Sequence, residues 1–254
     1  MDGAESGLVR INKFLSDAGF CSRREADRLL QAGRVWVEGR RASVGERILP
    51  GSRVFVDDQE VRKEERKVLL LFYKPQGLVC STKRQGREMT VTDYLRYPVR
   101  IYPVGRLDKD SEGLLLLTNR GELVNDIMRA RNYHEKEYVV RVNRPVTPDF
   151  LRRMAEGVPI LDTVTRPCQV ERTGEDTFRI VLTQGLNRQI RRMCQALGYE
   201  VTFLRRERIM GLTLEGLKPG QWREITKEEY EALLEGLSRR EAPSRHHSQD
   251  KKYV

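Results

Sequence analysis

Apolar positions near the start of the chain recur with helical spacing in two short stretches. The first has four apolar residues on one face: Ile11, Phe14, Leu15 and Ala18. Gly19 follows them as a candidate helix end. The second opens with Ser22 and a Glu three residues later, the pattern of a capping box, and ends near Gly33. The pattern predicts two short helices, followed by short strands at 35–37 and 54–56.

From residue 67 onward, apolar runs typical of strands predominate. The strand-like runs are 68–72, 114–117, 138–142 and 178–182, and helical spacing returns at 187–197 and 227–237. This order predicts an α+β fold with a mostly antiparallel central sheet. Residues 238–254 are polar, with 5 Lys/Arg against 2 Asp/Glu, and are expected to form a disordered basic tail.

Charge divides the chain into regions. Residues 10–53 carry 10 Lys/Arg against 5 Asp/Glu, whereas residues 54–66 carry 3 against 5. We therefore predict a small basic domain at 9–61, a linker at 62–66 and a larger domain at 67–237. The whole chain has 47 Lys+Arg and 37 Asp+Glu, a formal net charge of +10, which favours an anionic partner such as nucleic acid.

Composition and motifs exclude several classes of chemistry. The four cysteines are scattered singly, so reduced thiols are expected, and His134 is the only histidine outside the tail. A metal site is therefore not expected, and a Ser/His/Asp triad could form only through His134. Neither a phosphate-binding loop nor a dinucleotide fingerprint occurs, so no cofactor is expected. No apolar run could span a membrane and no secretory signal is seen, which predicts a cytoplasmic protein.

A short acidic loop stands directly before a run of four leucines. Asp108, Asp110 and Glu112 precede the run, and a buried strand would give these carboxylates a rigid support suited to catalysis. A polar turn that feeds a core strand has the same pattern. A calcium loop is another alternative, although Leu116 and Asn119 stand where such a loop needs ligands. The spacing alone leaves these alternatives open.

Four segments, in order, resemble the sequence motifs of the pseudouridine synthases. They are 74–77, with the sequence Lys-Pro-Gln-Gly, 105–119 around the acidic loop, 135–138, with the sequence Glu-Lys-Glu-Tyr, and 184–193, rich in arginine. The match is to the RsuA-type branch, and within it the motifs resemble the RluF group, which acts on large-subunit ribosomal RNA. Residues 10–39 resemble the RNA-binding domain of ribosomal protein S4. The resemblance therefore implies a small N-terminal S4-like domain followed by a pseudouridine synthase catalytic domain.

The resemblance also implies roles for individual residues. Asp108 would be the catalytic carboxylate and Arg191 its ion-pair partner. Tyr138 would stack on the target base, and Arg106 would help to hold the place of the displaced nucleotide. The reaction detaches uracil at N1 and rejoins it through C5, which requires a carboxylate but no redox agent or energy source. A base inside folded RNA must first be flipped out, and an aromatic ring and an arginine offset the lost stacking.

Several basic residues are predicted to contact RNA. They are Arg10, Lys13, Arg23, Arg24, Arg28, Arg188 and Arg192. Arginines at the start of the second helix suit phosphate binding, although such residues also solvate helix faces. Arg205, Arg206 and Arg208 are further expected phosphate contacts. Lys74 and Pro75 are expected only to shape a turn.

We therefore expect a cofactor-independent RNA pseudouridine synthase that acts as a monomer on a ribosomal RNA stem-loop. Transfer RNA is left open as a second substrate, and Asp108 is left open as nucleophile or base. The alternative is a non-catalytic RNA-binding factor of ribosome assembly, against which Asp108, Tyr138 and Arg191 argue. An appendage of an aminoacyl-tRNA synthetase would need an ATP-binding signature, which this sequence lacks.

Overall fold

The computed structural model describes residues 7–62, 66–81, 86–128 and 133–238. Most of the predicted linker at 62–66 and nearly all of the predicted tail at 238–254 lie outside these residues. Contacts divide the chain into two units. The first comprises residues up to 70, 78–104 and 116–124, and the second comprises 71–77, 105–115 and residues from 125 onward. Within the described ranges, no helix is both long and apolar enough to cross a membrane.

The N-terminal part of the first unit packs two helices against a small sheet. Its elements are β1 (Val9–Arg10), α1 (Ile11–Asp17), α2 (Arg23–Gln31), β2 (Val35–Val37), β3 (Arg40–Arg41), β4 (Arg47–Ile48), β5 (Val54–Val56) and β6 (Gln59–Glu60). Strands β3, β2, β5 and β6 form a four-stranded sheet in that order, and β1 pairs with β4. Ile11, Leu15 and Leu30 from the helices and Val35 and Val54 from the sheet belong to one core.

Local signals explain how α2 begins. The Ser22 hydroxyl accepts a hydrogen bond from the Glu25 amide at 3.2 Å, as the capping pattern predicts. The Glu25 side chain, however, pairs with Arg28 at 3.1 Å. The predicted N-terminal cap is therefore present, while the Glu25 side chain is used elsewhere.

From residue 66 onward, the described ranges add sixteen further elements, which form a larger sheet and its helices. They are β7 (Leu69–Lys74), α3 (Val91–Leu95), β8 (Tyr102–Val104), β9 (Glu112–Thr118), α4 (Gly121–Met128), β10 (Lys136–Val142), α5 (Pro148–Glu156), β11 (Pro159–Ile160), β12 (Thr163–Val164), β13 (Gln169–Arg172), β14 (Thr177–Leu182), α6 (Gln189–Ala196), β15 (Val201–Ile209), β16 (Leu212–Thr213), β17 (Trp222–Glu224) and α7 (Lys227–Ser238). The sheet has the order β13-β14-β10-β15-β9-β7-β17, with β16 beside β15 and β8 beside β9.

Strands β13, β14, β10 and β15 pair antiparallel in this order, as predicted, whereas β15 and β9 pair parallel. In the second unit, α5 and α6 bury Phe150, Met154 and Met193 against Val140 of β10 and Phe178 of β14. The predicted α+β class is confirmed. Strand β15 was missed by the sequence patterns because four of its nine residues are charged.

Gly113 allows two backbones to approach closely at the start of β9. Its φ is +112°, and a Cβ at this position would lie 2.3 Å from the carbonyl oxygen and 2.5 Å from the amide nitrogen of Arg206. Glu112 and Gly113 are the β9 residues that pair with β15, opposite Arg205 and Arg206. A side chain would therefore push the two strands apart beside the acidic loop.

We expect Gly113→Ala to lower the free energy of unfolding by about 2–4 kcal/mol, because it adds both backbone strain and a backbone clash. Gly185→Ala is the control. Nothing lies within 4 Å of a Cβ at this position, and the backbone φ of Gly185 is not in the left-handed region. The control should change the free energy of unfolding by less than about 1 kcal/mol. Urea unfolding measures both; equal stabilities would contradict the clash.

Candidate active site

A buried ammonium group anchors the acidic loop. Lys74, at the end of β7, is fully buried. Its Nζ donates to the carbonyls of Ser111 at 2.7 Å, Asp108 at 3.1 Å and Pro75 at 3.1 Å. The Gly77 amide also donates to the Lys109 carbonyl at 2.8 Å. Lys74, expected only to shape a turn, therefore fixes the backbone at Asp108 and at Ser111.

Two arginines flank the Asp108 carboxylate. Arg191 Nε lies 3.9 Å from Asp108 Oδ2, so the predicted pair falls within ion-pair distance. Arg188 Nη1 is nearer, at 3.4 Å from the same oxygen. Among the described residues, no side chain donates a hydrogen bond to this carboxylate, whose side chain is 31% exposed. Asp108 is thus charge-compensated while its oxygens stay available to a substrate.

Arg191 is itself held by the backbone around the site. Its side chain is only 14% exposed. Nη1 donates to the Val201 carbonyl at 3.1 Å, and Nη2 donates to the Asp110 carbonyl at 3.1 Å and the Ser111 hydroxyl at 3.3 Å. Its buried Nε has no hydrogen-bond partner in the described part of the chain. This nitrogen is the one nearest Asp108.

Asp110 binds both arginines from the other side. It accepts from Arg188 Nη1 at 3.3 Å and Nη2 at 3.2 Å, and lies 3.2 Å from Arg191 Nη2. Burial acts to raise the pKa of Asp110, but the hydrogen bond from Arg188 and the charges of Arg191 and Arg188 outweigh it and hold the pKa below its usual value. Asp110 is therefore an ionised partner that shares these arginines with Asp108.

Arg188 takes this place because of the backbone at the start of α6. It is the residue before the helix and has a φ of +50°. Sequence reasoning predicted Arg188 only as an RNA contact and gave Asp110 no role. The structure puts both beside Asp108, although the acidic loop and the arginine-rich motif did mark the two segments involved.

The positions of Tyr138 and Arg106 relative to Asp108 follow from strand register and from the sequence. Tyr138 is half-buried on β10, where its ring packs against the core of the second unit. It lies opposite Arg206 of β15, and Arg206 lies opposite Gly113 of β9. Tyr138 is thus two strands from Gly113, roughly 10 Å away across the sheet. Arg106 is exposed in the loop two residues before Asp108.

The other predicted RNA contacts differ in exposure. Arg10, Arg23, Arg24 and Arg28 are exposed. Lys13 is half-buried and pairs with Asp17. Arg192 is half-buried and donates to the Asn187 carbonyl at 3.1 Å and to the Asn187 side-chain oxygen at 3.3 Å.

Arg206 does not fit the expected role of a phosphate contact. It is 2% exposed, and its Nε donates to the Leu114 carbonyl at 2.7 Å. That expectation is wrong, because a run of four consecutive charged residues at 205–208 does not reveal which side chain turns into the protein. Arg205 pairs with Glu207, and Arg208 with Glu137 at 2.9 Å.

A separate cavity of about 450 Å³ lies between the end of β15 and α7. Its lining includes His134, Glu135, Arg208, Met210 and Leu233. None of the predicted catalytic residues lines it. Within the described ranges, no cluster of three His, Cys, Asp or Glu side chains could hold a metal ion.

Comparison with known proteins gives consistent matches along the chain. The RNA pseudouridylate synthase family model matches residues 68–196, and the S4 domain model matches residues 9–54. The dual-specificity RNA pseudouridine synthase RluF of Escherichia coli (strain K12) is 51% identical over 223 residues, 87% of this chain and 77% of the relative. Ribosomal large subunit pseudouridine synthase B of Bacillus subtilis (strain 168) is 35% identical over 89% of this chain and 96% of the relative.

A solved structure agrees with these matches. A crystal structure of a pseudouridylate synthase superposes with a TM-score of 0.66 and 28% identity, covering 89% of this chain and 99% of that one. The fold and these matches define an RNA-modifying isomerase that carries an S4 domain. The chain belongs to the RNA pseudouridylate synthase family, in its RsuA-type branch. The resemblance seen in the sequence motifs is confirmed.

A second buried lysine provides a test of the electrostatics. Lys136 of β10 is 5% exposed, and its Nζ donates to the His134 carbonyl at 3.2 Å. Burial, and then the charge of Arg206, lower its pKa to about 8. A lysine in an unfolded chain titrates near 10.4. Between these values the unfolded chain binds more protons, so the free energy of unfolding due to Lys136 rises with pH.

We expect Lys136→Met to raise the free energy of unfolding at pH 7 by about 2 kcal/mol, because a buried charge is removed. This advantage over the parent should shrink as the pH rises from about 8 to about 10. Urea unfolding across this range measures it, with exposed Lys218→Met as the control. An advantage that does not change with pH would contradict a depressed pKa.

Proposed function

We propose that this enzyme isomerises a specific uridine to pseudouridine in a stem-loop of large-subunit ribosomal RNA, with Asp108 as the catalytic carboxylate. The observation that carries this proposal is the Asp108 carboxylate itself, which is flanked by Arg188 and Arg191 and free of hydrogen bonds from described residues. The printed name of the Bacillus subtilis relative, a ribosomal large subunit pseudouridine synthase, supports the RNA class.

The reaction needs one reactive carboxylate. The bond between N1 of uracil and C1′ of the ribose breaks, the base turns, and a bond forms between C5 and C1′. C5 gives up its proton and N1 gains one, so the reaction is an isomerisation with no net redox change. Asp108 assists as a nucleophile at the ribose or as a base, and both roles require the ionised form. Arg188 and Arg191 lie at ion-pair distance from this carboxylate.

The target base is proposed to leave the RNA stack before it reacts. Tyr138 would stack on the flipped base, since the strand register places it across β15 from the start of β9. Arg106, exposed next to the acidic loop, would occupy the space that the base leaves. Arg191 would stay paired with Asp108. The more exposed Arg188 would exchange its contact with Asp108 for one with an incoming phosphate.

RNA affinity is proposed to come mainly from the basic residues of the S4-like domain. Arg23, Arg24 and Arg28 are exposed on or beside the first turns of α2, where backbone amides also attract phosphate. Arg10, Lys13 and Arg192 would add contacts. We propose that the two domains span residues 9–61 and 67–237. We also propose that the enzyme acts as a monomer in the cytoplasm, where it would encounter ribosomal RNA.

Mapping pseudouridine in cellular RNA, with and without the gene, tests the proposal. Loss of one modified uridine in large-subunit ribosomal RNA is expected. The word "dual-specificity" in the name of the Escherichia coli relative supports including transfer RNA in the same map. Complementation with Asp108→Asn then separates catalysis from a role in ribosome assembly. If the variant restores ribosome assembly but not the modification, both roles exist; if it restores the modification, the catalytic assignment is wrong.

We expect Asp108→Asn to reduce pseudouridine formation by more than about 10³-fold, because the amide cannot act as nucleophile or base. RNA affinity should stay within about threefold, since phosphate contacts dominate it. Single-turnover assays and binding titrations on the same stem-loop measure the two effects. Exposed Asp162→Asn is the matched control and should retain full activity. Substantial turnover by Asp108→Asn would refute the assignment.

We expect Asp110→Asn to lower the single-turnover rate about 10- to 100-fold with a smaller change in RNA affinity, because Arg188 and Arg191 lose the partner that holds them back from Asp108. Asp110→Glu should recover part of the rate. An unchanged rate would show that the contacts of Asp110 with the two arginines do not matter for the reaction.

A further inference from the structure

The outward face of the four-stranded sheet carries two neighbouring aromatic rings. Strands β2 and β5 are antiparallel, and Trp36 lies directly opposite Phe55. The residues on either side of each ring are buried valines. Strand alternation therefore turns both rings away from the core. Trp36 is 37% exposed, which is unusual for so large an apolar side chain.

Each ring is accompanied by an arginine. The Arg41 guanidinium carbon lies 5.5 Å from the centroid of the Trp36 ring, and that of Arg53 lies 5.2 Å from the Phe55 ring. Within the described ranges, no carboxylate lies at ion-pair distance from Arg41. Arg53 is 67% exposed, and its contact with Glu60 is long, at 3.5 Å. The cations are thus available to an anionic ligand next to the rings.

This face is separate from the helix surface that holds the predicted phosphate contacts. Ala26, Leu29 and Leu30 of α2 pack into the same core as Val35 and Val54 of the sheet. The core therefore lies between α2 and the outward face of the sheet. Nucleotides bound to the exposed arginines of α2 therefore cannot also contact Trp36.

We propose that Trp36 and Phe55, with Arg41 and Arg53, form a second RNA site that stacks unpaired bases. Flat rings flanked by arginines bind single-stranded nucleic acid with little sequence preference, because every base has a face to stack and every nucleotide has a phosphate. The site takes the unpaired nucleotides of a loop or flank, while α2 contacts phosphates elsewhere. The proposal relies on RNA as the substrate but not on the role of Asp108.

The chain offers a direct reporter, because it contains two tryptophans, Trp36 and Trp222. Trp222→Phe leaves Trp36 as the only indole and leaves the proposed site unchanged. An unstructured oligocytidylate, which contains no uridine to react, is titrated against this protein at low salt. We expect saturable quenching of the Trp36 emission. The reciprocal variant, Trp36→Phe, reports on Trp222 and should show no quenching.

Affinity gives the second measurement. Trp36→Leu should weaken oligocytidylate binding about 5- to 100-fold, whereas Trp36→Phe, which keeps a ring, should lose much less. Arg41→Gln should weaken binding and reduce its salt dependence without touching either ring. Circular dichroism checks the fold of each variant. These assays are independent of catalysis, so an inactive enzyme that still shows quenching would leave this site standing.

Three outcomes would overturn the proposal. Trp36 emission that stays constant while the oligonucleotide binds would show that the rings serve only the stability of the sheet. Equal affinities of the parent, Trp36→Leu and Arg41→Gln would place all binding elsewhere. Quenching by an unrelated acidic peptide but not by RNA would mark a protein-binding face instead.

Discussion

The candidate active site depends on the hydrogen bonds that the buried Lys74 ammonium group donates to the backbone. A buried charge is costly unless its hydrogen bonds are satisfied, and Lys74 uses three backbone carbonyls for this purpose. Two of them belong to Asp108 and Ser111. Arg191 contacts the same loop through the Asp110 carbonyl and the Ser111 hydroxyl. Two cations therefore fix one short loop, a support that suits the proposed catalytic role of Asp108, because the carboxylate would need no reorganisation before it reacts.

The second constraint is the sharing of charge among two acids and two arginines. Asp110 takes the closer, hydrogen-bonded contacts with Arg188, while Asp108 keeps only ion-pair distances of 3.4 and 3.9 Å. A carboxylate saturated by hydrogen bonds is a weak nucleophile and a weak base. The arrangement therefore keeps two guanidinium groups close to Asp108 without occupying its oxygens, which suits either proposed role.

The start of β9 joins β15 through a parallel pairing of only two residues on each strand. Glu112 and Gly113 are the β9 residues paired with β15, and Arg206 then donates to the Leu114 carbonyl. Where the parallel pairing ends, the side chain of buried Arg206 therefore provides the hydrogen bond to the β9 backbone. The same Arg206 lies opposite Tyr138. The acidic loop and the proposed stacking residue are therefore related by strand register, although residues 108 and 138 lie far apart along the chain.

The sequence by itself determined the local elements and the type of chemistry. Helical spacing predicted α1 and α2, apolar runs predicted β2, β5 and the start of the central sheet, and the ordered motifs predicted the family. These signals are local or are carried by residue type, so they survive without a structure. Only the tertiary structure decided which charges meet. Lys74, Arg188 and Arg206 look like ordinary surface cations in the sequence, and burial or contact with a distant loop is a property of strand order and register, which hydropathy does not encode.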